Sequence, residues 1–338
     1  MARKKLPTMW DVARLAGVTQ ATVSHVINGT ASISQEVKKR VSEAIDELGY
    51  VPNAAARSLK QNKTYTIGLI VPDVHSGFYS QMAKAVEESA REHGYITFLC
   101  NTSYHPQLED YYINNLIQQQ VAGIILGYGL VDQKVCNKVL NARIPLLMLD
   151  SSLKIGDWQV PSVEVDNLKG SWLAVEYLYN MGIKEIGYIS EPLYNNTLKL
   201  RYEGYVKAME NLGCTINKDF IDIHAKEYDK IKMGYESVDK ILAQGKPRAI
   251  FVSADQLAFG AIKRLTELKI KIPEDIAIVG YDDIPLSTVV TPRLTTIFQP
   301  IDQMGKMGFE MLKKLIDGTK IPNKKVVLDP KLVVRESA

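Results

Sequence analysis

Apolar positions fall into two textures along this chain, and the change comes near residue 64. Before it, they recur in short blocks: Val12, Leu15 and Ala16, then Val23, Val26 and Ile27, then Val37, Val41, Ala44, Ile45 and Leu48. Each set shares one face of a helix. Thr8 and Asp11 have capping-box spacing, Gly17 suits the left-handed residue that closes a first helix, Thr19 caps a second, and Ser34 and Gly49 bracket a third. Helices this short are unstable alone, so residues 1–50 are predicted to form a three-helix helix-turn-helix unit. Residues 51–64 follow with Asn53-Ala54-Ala55-Ala56-Arg57-Ser58-Leu59, a small-residue stretch with an Asn cap and one protruding leucine. It is too short to hold helical shape unaided.

After residue 64, short apolar runs alternate with amphipathic stretches. Buried strands are predicted at 66–71, 96–100, 123–126 and 146–149, with helices between them over 81–93 and 107–119. A second set of strands begins at 163–165 and continues at 186–189, 250–252 and 276–280. Its helices cover 168–181, 198–212, 229–244 and 257–268. This alternation predicts parallel sheets covered on both faces. Two such units in series make two lobes, with a ligand cleft outside the carboxyl ends of the strands.

Length and charge agree with that division. At 338 residues the chain exceeds one ordinary core. Residues 1–64 carry ten Lys/Arg against five Asp/Glu, whereas the remainder carries 31 against 33. The basic excess therefore sits on the small unit, which fits a polyanionic ligand for that part alone. Cys100, Cys136 and Cys214 are widely separated and form no C-x-x-C pair, so buried thiols in a reducing compartment are expected, with no metal site and no cofactor. Asp11 and Arg14 interrupt any secretory core, and no apolar run approaches a membrane span. A soluble cytoplasmic protein, nucleoid-associated when bound, is the expectation.

The run from Asp11 to Asn28, D-V-A-R-L-A-G-V-T-Q-A-T-V-S-H-V-I-N, and the run from Tyr50 to Leu59, Y-V-P-N-A-A-A-R-S-L, resemble the lactose-repressor/galactose-repressor family of bacterial transcription regulators. The family's ordered phrases continue at Val165-Asp166-Asn167, Leu212-Gly213, Asp255-Gln256-Leu257, Val279-Gly280-Tyr281-Asp282-Asp283 and Leu294-Thr295-Thr296, so the resemblance spans nearly the whole chain. It implies a helix-turn-helix head and hinge helix, then a two-lobed α/β effector domain like periplasmic sugar-binding proteins, crossed three times by the chain. The expected first lobe covers about 65–160 and 293–322, the second about 161–292 and 323–338.

On that basis the second helix enters the major groove with Gln20, Ala21 and His25 nearest base edges. Gln20 can pair with adenine and His25 with guanine, and Ala21 offers only a methyl. Thr8, Thr19, Thr22, Ser24 and Asn28 are expected to grip the backbone and set register. The alternative for His25 is a plain solvated imidazole. The resemblance further implies that Asn53, Ala56, Arg57 and Leu59 order in the minor groove, Leu59 wedging into the central base step of a palindromic operator bound by a homodimer.

Candidates for effector binding are Phe78, Tyr79, Asp150, Arg201, Asp255 and Asp282. Phe78 and Tyr79 suit either a stacking platform or a helix-start staple; Arg201 and Asp282 suit either a ligand's hydroxyls or heterocycle edge, or a structural ion pair. The sequence departs from many members at Ala254, where they carry Asn, which removes one candidate sugar donor. The effector is thus expected to be a sugar, a sugar derivative or a purine-like molecule, with a protein co-effector as a further partner. Two other classes compete: an enzyme or a solute receptor on the same fold. Against an enzyme, the chain has no phosphate-binding G-x-x-x-x-G-K-[ST] loop, no G-x-S-x-G elbow and no H-E-x-x-H pair.

Overall fold

The computed structural model describes residues 6–51, 64–127, 133–226 and 229–338, of which the side chains of 133–135 are not described. The chain divides into two compact units that meet at residues 63 and 64. The expectations for Asn53, Ala56, Arg57 and Leu59 lie outside the described residues.

In the first unit α1 (Met9–Ala16), α2 (Gln20–Asn28) and α3 (Gln35–Leu48) close around Val12, Ala13, Ala16, Val23, Val41, Ala44 and Tyr50. Local chemistry sets each end. The Thr8 amide donates to Asp11 Oδ2 at 2.9 Å while the Asp11 amide donates back to Thr8 Oγ1 at 3.4 Å, a reciprocal cap. Gly17 ends α1 at φ 64°, where a Cβ would be strained. Thr19 and Ser34 cap α2 and α3 by accepting from the amides of Thr22 and Val37. One inward position differs from expectation: Leu15 is 46% exposed, and Ala13 is the buried position in its stead.

The second unit opens with β1 (Thr66–Val71), α4 (Gly77–Glu92), β2 (Ile96–Asn101), α5 (Pro106–Gln118), β3 (Gly123–Leu126), α6 (Gln133–Asn141) and β4 (Leu146–Leu149). A small hairpin, β5 (Lys154–Ile155) and β6 (Trp158–Gln159), leads to β7 (Ser162–Val165). Then come α7 (Asn167–Asn180), β8 (Ile186–Ser190), α8 (Asn196–Asn211), β9 (Ile221–Ile223), α9 (Lys230–Gln244), β10 (Ala249–Val252), α10 (Asp255–Glu267), β11 (Ala277–Asp282) and β12 (Thr295–Phe298). The chain ends with α11 (Ile301–Ile316), β13 (Lys325–Leu328) and β14 (Lys331–Val333).

Two six-stranded sheets result, ordered β13-β7-β4-β3-β1-β2 and β14-β12-β11-β10-β8-β9. All pairings are parallel except β12 with β14. The chain passes between lobes after β7, after β12 and after β13.

Those pairings move several segments from their expected lobes. Residues 162–165 belong to the first sheet, since β7 pairs with β4 and with β13, and residues 325–328 join them there. Residues 295–298 belong to the second sheet, paired to β11 and β14. Of these pairings only β7 with β13 spans more than 150 residues; β7 with β4 and β12 with β11 join segments fewer than 20 residues apart. Strand β2 also differs from the buried strand expected: it is the sheet edge, with Ile96 64%, Phe98 44% and Leu99 49% exposed. Cys100, Cys136 and Cys214 are buried free thiols. Among the described residues no helix is long and apolar enough to cross a membrane.

Candidate functional site

The N-terminal turn of α2 is exposed on the head. Gln20 and Ala21 stand in solvent there, as does His25 one turn along the helix. His25 Nδ1 lies 2.9 Å from Thr30 Oγ1, which fixes the ring and leaves Nε2 as the outward nitrogen. Thr19 Oγ1 lies 3.0 Å from Thr22 Oγ1 and also accepts from the Thr22 amide at 3.2 Å, so both threonines are part of the cap. Thr8 likewise donates its hydroxyl to Asp11. Asn28 turns inward, its amide donating to the Ser24 carbonyl at 2.8 Å and approaching Ser24 Oγ at 3.3 Å. Its polar group is committed to its own helix.

In the second unit a cleft forms where the carboxyl ends of β4, β8, β10 and β11 face the start of α4. Asp150 follows β4 with φ 58°, and Asp282 and Asp283 at the end of β11 have φ 119° and 54°. Left-handed aspartates at both strand ends store strain where the lobes meet. Phe78 and Tyr79, from the first turn of α4, pack edge to face at 5.1 Å; both line the cleft and belong to the core.

Arg201, on α8, is the hub. It is 4% exposed, donates from Nε to Asn167 Oδ1 at 2.9 Å and from Nη1 to the Ser253 carbonyl at 2.6 Å, and lies 3.4 Å from Asp282 Oδ1. Its guanidinium sits 3.8 Å above the Tyr281 ring. Gln299 Nε2 donates to the same Asp282 oxygen at 2.7 Å. Burial lifts the Asp282 carboxyl to about 6, and the opposing charges of Arg201 and Lys230 keep it below neutrality.

Asp150 is left differently. It is 6% exposed, its Oδ1 has no hydrogen-bond partner, and burial raises its carboxyl to about 7 against the pull of Arg201. Its own carbonyl accepts the Thr197 hydroxyl at 2.5 Å, which ties the lobes together.

Asp255 lies elsewhere. Its Oδ2 accepts from the Ile284 amide at 3.0 Å and Ser287 Oγ at 2.6 Å, its Oδ1 from Thr296 Oγ1 at 2.5 Å. With both oxygens taken inside the second lobe, it braces the turn after β11 and does not line the cleft; burial pushes its carboxyl up. Two residues that sequence reasoning missed do line it. Lys230 Nζ donates to Glu191 Oε1 at 2.8 Å; Glu191 is buried and Lys230 partly so. Burial alone would raise Glu191, but the Lys230 charge and hydrogen bonds from Lys230 and Ser253 hold it at about 2. Glu191 directly follows β8, so the strand-end rule that selected Asp150 also points to it; Lys230 carries no such local signal. The cleft encloses about 30 Å³, room for roughly a water or two. A ligand of ordinary size requires the lobes to part.

Residues 8–53 fit the description "Bacterial regulatory proteins, lacI family", and residues 175–338 fit "Periplasmic binding protein-like domain". The chain is 37% identical to the HTH-type transcriptional repressor PurR of Pasteurella multocida (strain Pm70), over 98% of each chain. The chain belongs to the lacI family of bacterial regulatory proteins. The ribose operon repressor of Escherichia coli (strain K12) is 36% identical, covering 98% of this chain and all of that one. A crystal structure of the Lac repressor dimer bound to operator and the anti-inducer ONPF superposes with TM-score 0.86 at 28% identity, over 98% of this chain and 99% of that one. As a lacI family member the protein is a DNA-binding transcriptional regulator with an effector domain, and not an enzyme.

Proposed function

We propose that this regulator is a cytoplasmic repressor that binds a palindromic operator as a homodimer under the control of an uncharged, hydroxyl-rich small molecule in the interlobe cleft. Gln20, Ala21 and His25 read base edges, while the caps built by Thr8, Thr19 and Thr22, with Ser24 beside them, present the helix to phosphates. Asn28 stiffens α2 from within. Asn53, Ala56 and Arg57 carry the chain into the minor groove, where Leu59 is the wedge. A second copy covers the edge strand β2, whose Ile96, Phe98 and Leu99 would otherwise leave an apolar edge in water.

The observation that carries the effector reading is the charge pattern of the cleft. Arg201 with Asp282 and Lys230 with Glu191 are closed pairs, and Asp150 remains with a buried oxygen that lacks a donor. A hydroxyl satisfies that oxygen at no charge cost, whereas a phosphate would face an uncompensated carboxylate. The ribose operon repressor among the relatives makes free pentoses the first arm to try.

Thermal-shift measurements with free pentoses and hexoses, sugar phosphates and purine bases test this. Stabilisation by a free sugar, together with changed operator affinity in a gel shift, supports it; stabilisation by phosphorylated sugars or purines alone overturns it. For the head, Leu59→Ala is expected to weaken palindromic operator binding while sparing non-specific duplex affinity. Equal loss on both duplexes removes the wedge.

A further inference from the structure

The described residues hold a second, larger cavity of about 530 Å³ that the regulator's recognised parts leave unused. That volume lies within the ordinary range of small-ligand sites. Two of the three interlobe passages line it: Phe298 to Ile301 on the way into α11, and Leu328 and Asp329 on the way to β14. Gln81 of α4 and Asp283 after β11 add one wall from each lobe.

We infer that this cavity is a second small-molecule site, built for an α-amino acid with an apolar side chain and coupled to the cleft. The chemistry is that of a zwitterion's complement. Asp302 and Lys331 line the cavity, and neither has an ion-pair partner among the described residues, whereas its other carboxylates are taken: Asp283 by Arg335 at 2.6 Å and Asp329 by Lys169 at 2.6 Å. One free carboxylate for an ammonium and one free ammonium for a carboxylate are therefore available. The first turn of α11, which carries Asp302, adds backbone N–H groups, since its cap residue Pro300 supplies no side-chain bond. Ile301, Val327, Leu328 and the half-buried Phe298 line the same cavity; Val327 is 50% exposed on the edge strand β13. An aliphatic side chain laid over them removes apolar surface from water.

Coupling follows from a shared wall. Asp282 lines the cleft and its neighbour Asp283 lines this cavity. Gln299, also lining this cavity, donates to Asp282 Oδ1 at 2.7 Å. A ligand here touches both lobes and two of their connections, so its affinity depends on the interlobe angle. By linkage the effector's affinity then depends on it in return.

The test is titration calorimetry of the full-length protein with L-leucine, beside 3-methylbutylamine and N-acetyl-L-leucine, each of which lacks one charge. L-leucine is expected to bind, and either analogue to bind at least about tenfold more weakly. Val327→Trp, which fills the cavity, and Lys331→Glu, which inverts its free cation, are both at exposed positions; each is expected to abolish the leucine heat with an unchanged melting midpoint. Operator affinity is expected to shift with leucine in the wild type and not in Val327→Trp. Absence of heat in the wild type, full binding in both variants, equal binding of 3-methylbutylamine, or loss of leucine binding in Asp150→Asn, which would place leucine in the cleft, each overturns the proposal.

Discussion

At the start of α2, Gln20, Ala21 and His25 stand in solvent on a helix whose end is capped by residues three positions away. In the cleft, Arg201 is buried and held by Asn167, Ser253 and Asp282, residues 34 to 81 positions distant. The head's proposed reading groups take little part in its scaffold, which short-range bonds hold together. The cleft's proposed ligand groups also hold the lobe together. Substitutions should therefore separate binding from stability in the head and should confound the two in the cleft.

The largest effect tests that confounding. Arg201→Met removes a buried cation and leaves Asp282 with Gln299 alone, so unfolding free energy is expected to fall by about 3–5 kcal/mol along with effector response. Urea denaturation and operator release measure the two losses. An unaffected midpoint would show that Arg201 is a ligand group only and that the cleft follows the head's rule.

The contrasting change in the head is His25→Ala. It is expected to cost about 1–3 kcal/mol of discrimination at one operator position while the melting midpoint stays put, because its single partner, Thr30, is itself exposed. Binding to operators mutated one base pair at a time reads this directly. A uniform loss across all operators would reassign His25 to the phosphate backbone.

The same contrast explains what could be read from the sequence. Thr8, Gly17, Thr19, Ser34 and Gly49 announce the head's helix ends because a cap lies within three residues of what it satisfies. Most strands and helices of the body were legible from periodicity, though the 154–159 hairpin, α6, β9, β12 and the elements after β12 were not, and Asp150 and Asp282 were legible from their places at strand ends. Lobe membership was not: Ser162 pairs with Met148 of β4 on one side, and its other partner, in β13, arrives only when the chain has crossed between lobes twice, so periodicity along the chain marks the strand without marking its sheet. Asp255 misled for a related reason. Its family phrase marks a fixed residue, but only the turn at Ile284 and Ser287 shows that the fixity serves the scaffold. Lys230 was invisible because its partner Glu191 lies 39 positions away.

Asp150 sharpens the comparison through pH. Its raised carboxyl means that the folded protein holds a proton between the ordinary carboxylate value and about 7, where the unfolded chain has released it. Stability from this group therefore falls as pH rises through that window and levels off above it. The charges of Asp282 and Glu164 reinforce the shift, and those of Arg201 and Lys230 oppose it. Asp150→Asn is expected to gain on the wild type in melting temperature as pH rises from about 4 to 7. A difference that is flat with pH would mean that Asp150 titrates like a surface carboxylate.

The smallest effect concerns closure itself. A Cβ built on Gly77, the first residue of α4, would lie 2.9 Å from Ile284 Cδ1, and Ile284 is held in place by its amide bond to Asp255. Gly77→Ala therefore puts a methyl between the lobes at a helix position where alanine is otherwise favourable. Cδ1 of Ile284 can turn away, but its Cβ and Cγ2, at 3.1 and 3.2 Å, must give by a small shift, so the cost should be about 1 kcal/mol, and it falls on the closed form. Effector affinity is expected to drop a few-fold while the melting midpoint without effector hardly moves, the one cleft substitution to behave like those of the head. Should affinity and midpoint fall together, the Gly77–Ile284 contact belongs to the fold and not to the closing motion.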